Sequence, residues 1–281
     1  MNTNGERNLE APILQGATGC EISLCNLFRS STAFLICSGP SLANVDLSCL
    51  NSRGILTCSV NNAGTQFRSN LWVSYDSPGK FSEVIWRDPA IWKFVPIERF
   101  DKPIRTRNPA GNLEYTNEKV NQMPSTFGYR ANCIFQPETW LTENSINCGD
   151  NESDSEKLRI PGARSVMLVA LRLLHYLGVR RVFLLGCDFG MSYGSQNYAF
   201  EQTRTRRSVK LNNQIYRTLS VKFEQLLPYF KQDGFEIFNC NPDSGLRVFP
   251  FVDLDEAIGI ATSNIPCQIN TYGMYDERPI D

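Results

Sequence analysis

The sequence predicts an α/β protein built on a doubly wound, mostly parallel sheet with helices on both faces. Three observations lead there. Runs such as "AFLICSG" (33–39) and "RRVFLLGCDFG" (180–190) are apolar almost throughout, the pattern of parallel strands covered on both sides. Helical runs alternate with them, clearest in "GARSVMLVALRLLHYLG" (162–178) and "LNNQIYRTLSVKFEQLLPYF" (211–230). Each apolar run also ends in small or polar residues, which suits the carboxyl edge of an open sheet. The arrangement is Rossmann-like, with an irregular lid or insert.

Taken in order, residues 1–30 are polar and without period, so they read as an N-terminal tail or edge segment. The main domain runs over 31–262, and 263–281 form a C-terminal tail. After the first strand, "ANVDLSCL" (43–50) reads as a short helix or turn. "GILTCSVN" (54–61), "NLWVSYD" (70–76) and "IWKFVPI" (91–97) follow as strands. Residues 101–160 are rich in Asn, Pro, Thr, Ser and Glu and predict no regular element, so they form the lid or insert. The buried helix at 162–178 ends at Gly178, the strand at 180–190 follows, and the amphipathic helix comes next. "FEIFNCNPDSG" (235–245) is the last strand and turn, and "DLDEAIG" (253–259) a closing helix.

Composition excludes several classes. A net charge of −1 argues against a binder that relies on a strongly basic surface for nucleic acid. Ten cysteines without a C-x-x-C pair, several inside apolar runs, read as buried reduced thiols. A single histidine, His175, leaves no His/Cys zinc pattern and reads as a core or interface residue. No charged-then-apolar leader opens the sequence and no apolar run reaches about 18 residues, which predicts a soluble cytoplasmic protein without a transmembrane segment.

The chemistry is expected where strands end. There stand Ser38, Gly39, Pro40 and Ser41, then Asn61 and Asn62, Asp76, Gly186 with Asp188, and Asn241, Asp243 and Ser244. Gly39 admits close backbone approach, and Ser41 would cap a helix whose free N–H groups attract phosphate. The same four residues also suit a plain strand-to-helix turn. Neither a Walker A ending nor G-x-G-x-x-G is present. Asp188 suits a sugar hydroxyl, a metal or a base, and equally a loop cap. Asp76 carries the same alternatives, and the two together could hold Mg²⁺. Arg204, Arg206, Arg207 and Lys210 read as a solvated face or as a cationic flap over phosphates.

At these residues the chain resembles a known group. "SGPSL" after a strand, with Asn61 closing the next, is similar to the bacterial sialyltransferase-like glycosyltransferases (the Campylobacter-type enzymes). It is also similar to the related domain of unknown function that includes motility accessory factors. The superfamily includes archaeal hydroxymethyldihydropterin pyrophosphokinases. "ARSVMLVALRLLHYLGVRRVFLLGCDF", "SYGSQNYAFEQ" (192–202) and "NCNPDSGL" (239–246) resemble further blocks of the group. The resemblance implies sugar transfer from a nucleotide-sugar donor, CMP-linked in the first instance, with no required metal or cofactor. It implies that Tyr193 and Tyr198 hold the donor phosphate and that residues 199–210 close over it. The group's histidine base is absent after His175, so Asp188, ahead of Glu201 and Asp243, is the expected base. The acceptor is open between glycan, protein, lipid and modified nucleic acid, and homo-oligomerisation is open too. A Mg²⁺-dependent pyrophosphokinase and a non-catalytic nucleotide-binding or assembly protein are the alternatives.

Overall fold

The computed structural model describes residues 14–150, 163–200 and 204–263. Its first strands are β1 (Leu14–Gln15), β2 (Glu21–Ile22), β3 (Thr32–Ile36), β4 (Leu56–Val60), β5 (Leu71–Val73) and β6 (Trp92–Pro96). Next come β7 (Pro103–Arg107), β8 (Leu113–Lys119), β9 (Thr126–Tyr129), β10 (Ala131–Asn132) and β11 (Ile146–Asn147). The last are β12 (Arg181–Leu185) and β13 (Glu236–Asn239). The helices are α1 (Glu83–Arg87), α2 (Val166–Tyr176), α3 (Arg206–Asp233) and α4 (Leu254–Thr262).

One large sheet runs in the order β13-β12-β3-β4-β5-β6-β9-β1-β2. From β13 to β9 all neighbours are parallel; only the β9–β1 and β1–β2 pairings at the far edge are antiparallel. The chain leaves β3 toward β4, then later returns to the other side of β3 as β12. Alternation along β3 explains why its run is apolar throughout: Ala33 and Leu35 face one core, Phe34 and Ile36 the other. The first core receives α2 and α3. The second receives Ala257 of α4, and a third cluster holds Ile85 and Trp86 of α1, with Trp86 packed edge-on against Trp72.

α2 starts where Ser165 Oγ accepts from the Met167 N–H at 3.1 Å, and stops at Gly178, whose φ of +95° favours glycine. It is buried on nearly every side, and each of its two polar residues holds one partner while Arg172 Nε and Nη1 and His175 Nδ1 remain unpaired. Arg172 donates to the Glu143 carbonyl at 2.9 Å, and His175 meets the Asp233 carboxylate at 2.6 Å. Burial holds His175 below its usual pKa despite that carboxylate, which places it in the core, at the end of α2 away from Ser165.

Two expectations change. Residues 101–160 are not an irregular insert over their described part: they contain the β7–β8 hairpin, the sheet strand β9 and the β10–β11 pair. The stretch expected to close as a flap becomes, from Arg206 on, the first turn of a 28-residue helix capped by Thr205. Residues 1–13 of the N-terminal segment, 151–160 of the expected insert, Glu201 and the tail from 264 lie outside the described residues. Among the described residues no helix is long and apolar enough to cross a membrane.

Candidate functional site

The ends of β3 and β12 touch directly. The Cys37 N–H donates to Leu185 O at 2.8 Å and the Gly39 N–H to Gly186 O at 2.7 Å. Glycine is required at both crossing points. A Cβ on Gly186, whose φ is +61°, would lie 2.7 Å from Cys37 O, and one on Gly39 would lie 1.9 Å from Asp188 Oδ2. The Asp188 carboxylate therefore rests on Gly39. It accepts from the Ser41 N–H at 3.3 Å, from Ser41 Oγ at 2.8 Å and from Asn241 Nδ2 at 3.1 Å. Burial nevertheless raises its pKa, outweighing those bonds.

Ser41 consequently does not cap a helix. The turn is a short 3₁₀ helix, Pro40–Asn44, with Gly39 at its N-cap and no side-chain cap, and the Ser41 hydroxyl is turned to Asp188 instead. The donors expected to face a phosphate already hold a carboxylate of the chain itself.

Beside this contact lies a small pocket of about 150 Å³, lined by Ser38, Gly39, Pro40, Asn61, Gly186 and Asp188 among others. It shares Asn61, Ser165, Val166, Tyr198 and Tyr216 with a larger open cleft of about 940 Å³. Inner pocket and outer cleft are thus one continuous site over the carboxyl ends of β3, β4, β5 and β12, where open parallel sheets bind ligands.

The walls of the cleft combine cationic, amide and aromatic groups. Arg99 and the exposed Arg164 line it, and Arg164 lies 5.9 Å over the Tyr75 ring. The N-terminus of α2 opens into it at Ser165 and Val166, with no acidic residue in the first turn to neutralise the positive helix end. Asn61 is fixed by its carbonyl, which accepts from Trp72 Nε1 at 2.8 Å, and it holds φ +48°. Its side-chain Oδ1 is buried without a partner, an acceptor left for a ligand.

Tyr198 and Tyr216 stand at the seam between the two parts. Arg204 donates to the Tyr198 hydroxyl at 2.7 Å and crosses its ring at 5.0 Å, and the Ala199 N–H ties this segment to Ser38 O at 3.0 Å. Since Tyr198 oxygen accepts from Arg204, its own O–H is free to donate. Burial raises the Tyr216 phenol well above the ordinary range, so it stays a neutral donor. Phe189 stacks on Tyr216 at 4.9 Å and holds φ +51°, a strained backbone for an aromatic residue, beside the pocket.

Other expected residues fall elsewhere. Tyr193 is 58% exposed, outside the cleft lining, under the Arg206 guanidinium at 4.5 Å. Arg206 and Arg207 are exposed on the first turn of α3. Ser244 is buried, its hydroxyl donating to Cys187 O at 2.6 Å, so it secures the turn after β12. Asp243 is exposed, and the Asn62 carbonyl accepts from Thr65 Oγ1 at 2.7 Å. Asp76 lines the outer cleft but pairs with Lys80 at 3.2 Å, while Asp188 lines only the inner part. Among the described residues no three His, Cys, Asp or Glu side chains gather as a metal site would need.

Sequence reasoning missed Tyr75, Arg99, Arg164, Ser165, Asn212 and Tyr216. A signal existed for some. Asn212, Ile215, Tyr216 and Leu219 follow the i, i+3, i+4, i+7 spacing of one helix face, and Ser165 is an N-cap residue directly before an apolar run. Comparison with known proteins gives no match: no family model, no curated protein and no solved structure matches the chain significantly.

Proposed function

We propose that the chain is a glycosyltransferase of the sialyltransferase-like kind. It would work on a Rossmann-like, doubly wound sheet in the cytoplasm and take its sugar from a nucleotide donor, with CMP as the first candidate. The observation that carries the reading is the convergence on one cleft of the α2 N-terminus, Arg99, Arg164, the unpartnered Asn61 Oδ1 and the two tyrosines. Guanidinium groups and a helix end attract phosphate, and aromatic rings suit a base or sugar face. At about 940 Å³ the cleft lies within the usual range for small-molecule sites.

In the transfer an acceptor oxygen bonds to the anomeric carbon as the bond from that carbon to the phosphate oxygen breaks. Negative charge develops on the departing phosphate. The Tyr198 and Tyr216 hydroxyls are donors for it, and Arg164 adds a fixed positive charge. The acceptor's proton passes to a base, for which Asp188 is the carboxylate lining the inner pocket. Burial raises its pKa, which makes its carboxylate a stronger base.

A thermal-shift panel of CMP, CDP, UDP, GDP, ADP, ATP and CMP-sugars, each with and without Mg²⁺, tests this. A ligand at a hundredfold excess over its dissociation constant stabilises the native state by about 2.7 kcal/mol. The expected result is a metal-independent shift with a cytidine nucleotide, reduced in Tyr198→Phe and Arg164→Ala. A shift confined to ATP with Mg²⁺ would replace the reading with a pyrophosphokinase. Binding without transfer to any acceptor would leave a nucleotide-binding protein.

A further inference from the structure

We propose that Cys133 and Cys148 form a reversible dithiol–disulfide pair that controls the wall of the cleft. Their effect on ligand binding rests on the nucleotide reading above, but the pair itself does not. The register of β10 and β11 brings them together. Ala131 pairs with Ile146 and Asn132 with Asn147, so the two cysteines are the next positions on adjacent parallel strands. The Cys148 N–H still donates to Asn132 O at 2.9 Å, which holds the chains side by side there. Adjacent strands run about 4.8 Å apart, within the Cα separation that a disulfide spans. The two sulfurs are 3.3 Å apart, so bonding needs little more than a side-chain rotation.

The roles of the two thiols follow from access. Cys133 is half-buried and Cys148 buried, and burial pushes the Cys148 thiol up to about 12. Cys133 is therefore the first to react. Its thiolate attacks one sulfur of a low-molecular-weight disulfide and expels a small thiolate. Cys148, losing its proton to solvent, then attacks the Cys133 sulfur and expels the second. Two protein thiols and one small disulfide become one protein disulfide and two small thiols.

Both partners are one contact from the cleft. The Tyr75 hydroxyl lies 3.6 Å from Cys133 Sγ, and the Tyr75 ring forms cleft wall beneath Arg164. The Cys148 carbonyl accepts from the Ser165 N–H at 2.8 Å, and Ser165 caps α2 where it opens into the cleft. Gly149, the next residue, bridges to Arg164. A Cβ on Gly149 would lie 2.0 Å from Ala163 O, so this backbone has no slack to absorb a shift. Oxidation removes the Tyr75–Cys133 contact and draws on the segment that positions Ser165 and Arg164.

The test titrates the full chain with oxidised and reduced glutathione and maps trapped thiols by mass spectrometry. Hydrogen exchange over Ser165–Leu168 and the CMP thermal shift are recorded on the same samples. The expected result is one Cys133–Cys148 crosslink, reopened by dithiothreitol, with severalfold altered exchange at the start of α2 and an altered CMP shift. Cys133→Ser, at a half-exposed position, should abolish the crosslink and the exchange change while the chain remains folded. Continued alkylation of both thiols under strongly oxidising glutathione, or pairing of either with another cysteine, overturns the proposal. So does a crosslink that leaves exchange at α2 unchanged. Absence of a CMP shift in the reduced protein would count against the nucleotide reading alone, since crosslink and exchange report the pair independently.

Discussion

Gly39→Ala should destabilise the protein, although the local backbone invites the opposite. Gly39 sits at φ −67° and ψ 158°, an extended conformation open to alanine. Where alanine fits such a position, it stabilises by about 0.4–1 kcal/mol because the unfolded chain has less freedom to lose. Here the added Cβ would stand 1.9 Å from Asp188 Oδ2 and 2.5 Å from Gly186 O. The first obstacle is a side chain and can swing away, at the cost of its bonds from Ser41 and Asn241. The second is backbone, in the contact that joins β3 to β12, and can yield only if the strand ends part. Overpacking alone costs about 1–3 kcal/mol, and one hydrogen bond to a charged group is worth about 1.5–3 kcal/mol. Set against the entropic gain, a net loss of about 2–4 kcal/mol is expected. Urea denaturation of wild type, Gly39→Ala, Asp188→Ala and the double variant measures it. The double variant should lose less than the sum, since removing the carboxylate removes the nearer clash, yet it should not recover fully. An unchanged or raised stability in Gly39→Ala would refute the close crossing of the two strand ends, and with it the account of Asp188.

Asn61→Gly is expected to leave stability unchanged or raise it by up to about 2 kcal/mol, because losing a buried unpaired oxygen offsets the added freedom of glycine. The same variant should weaken nucleotide binding at least severalfold in calorimetry. Undiminished binding would mean that Oδ1 does not serve a ligand. Asp188→Asn carries a pH signature: burial raises the native pKa of Asp188 above 3.8, so the native state holds the proton more tightly than the unfolded chain does. Its contribution is then fully present below pH 3.8 and is lost as pH rises through the native pKa. The stability of Asp188→Asn relative to wild type should therefore climb across that window and level off above it, and a difference that is flat or falls with pH in paired urea titrations would contradict the burial argument.

The parts of the fold that could be read from sequence are those where burial is two-sided. β3, β5 and β12 are apolar on both faces because they lie inside the sheet, so composition alone marks them, whereas β4 and β6 are marked by their other residues and bury Thr57, Ser59 and Lys93. β9 escaped because it is four residues long and its "TFGY" carries no period. Its place is set from outside, by pairing with β6 and by the Tyr129 hydroxyl donating to Ser74 O at 2.9 Å. The β7–β8 strands escaped for the opposite reason: β8 is largely exposed, so its residues are polar, although Asn108-Pro-Ala-Gly-Asn112 was a visible turn signal.

The same physics separates the readable part of the site from the rest. Residues that follow a strand are placed by topology, so Ser38, Gly39, Asn61, Asp76, Gly186 and Asp188 could be gathered at one edge without any tertiary information. Arg99, Arg164 and Tyr216 come from a 3₁₀ turn, a bridge position and a helix face, whose directions depend on how the layers pack. What pattern could not supply at all is occupancy. The strand-end turn looked like a cradle for a ligand's anion, and its Ser41 donors are taken by Asp188, 147 residues away in sequence. A phosphate seated there would meet a carboxylate and need it to move or take up a proton. One seated at the α2 end beside Arg164 meets a guanidinium and a positive helix end, while Asp76, the carboxylate in that cleft, is paired with Lys80 at 3.2 Å. On the glycosyltransferase reading proposed above, the donor phosphate would sit at α2 and the outer cleft, and the inner pocket beside Asp188 would be left for the sugar and the acceptor hydroxyl.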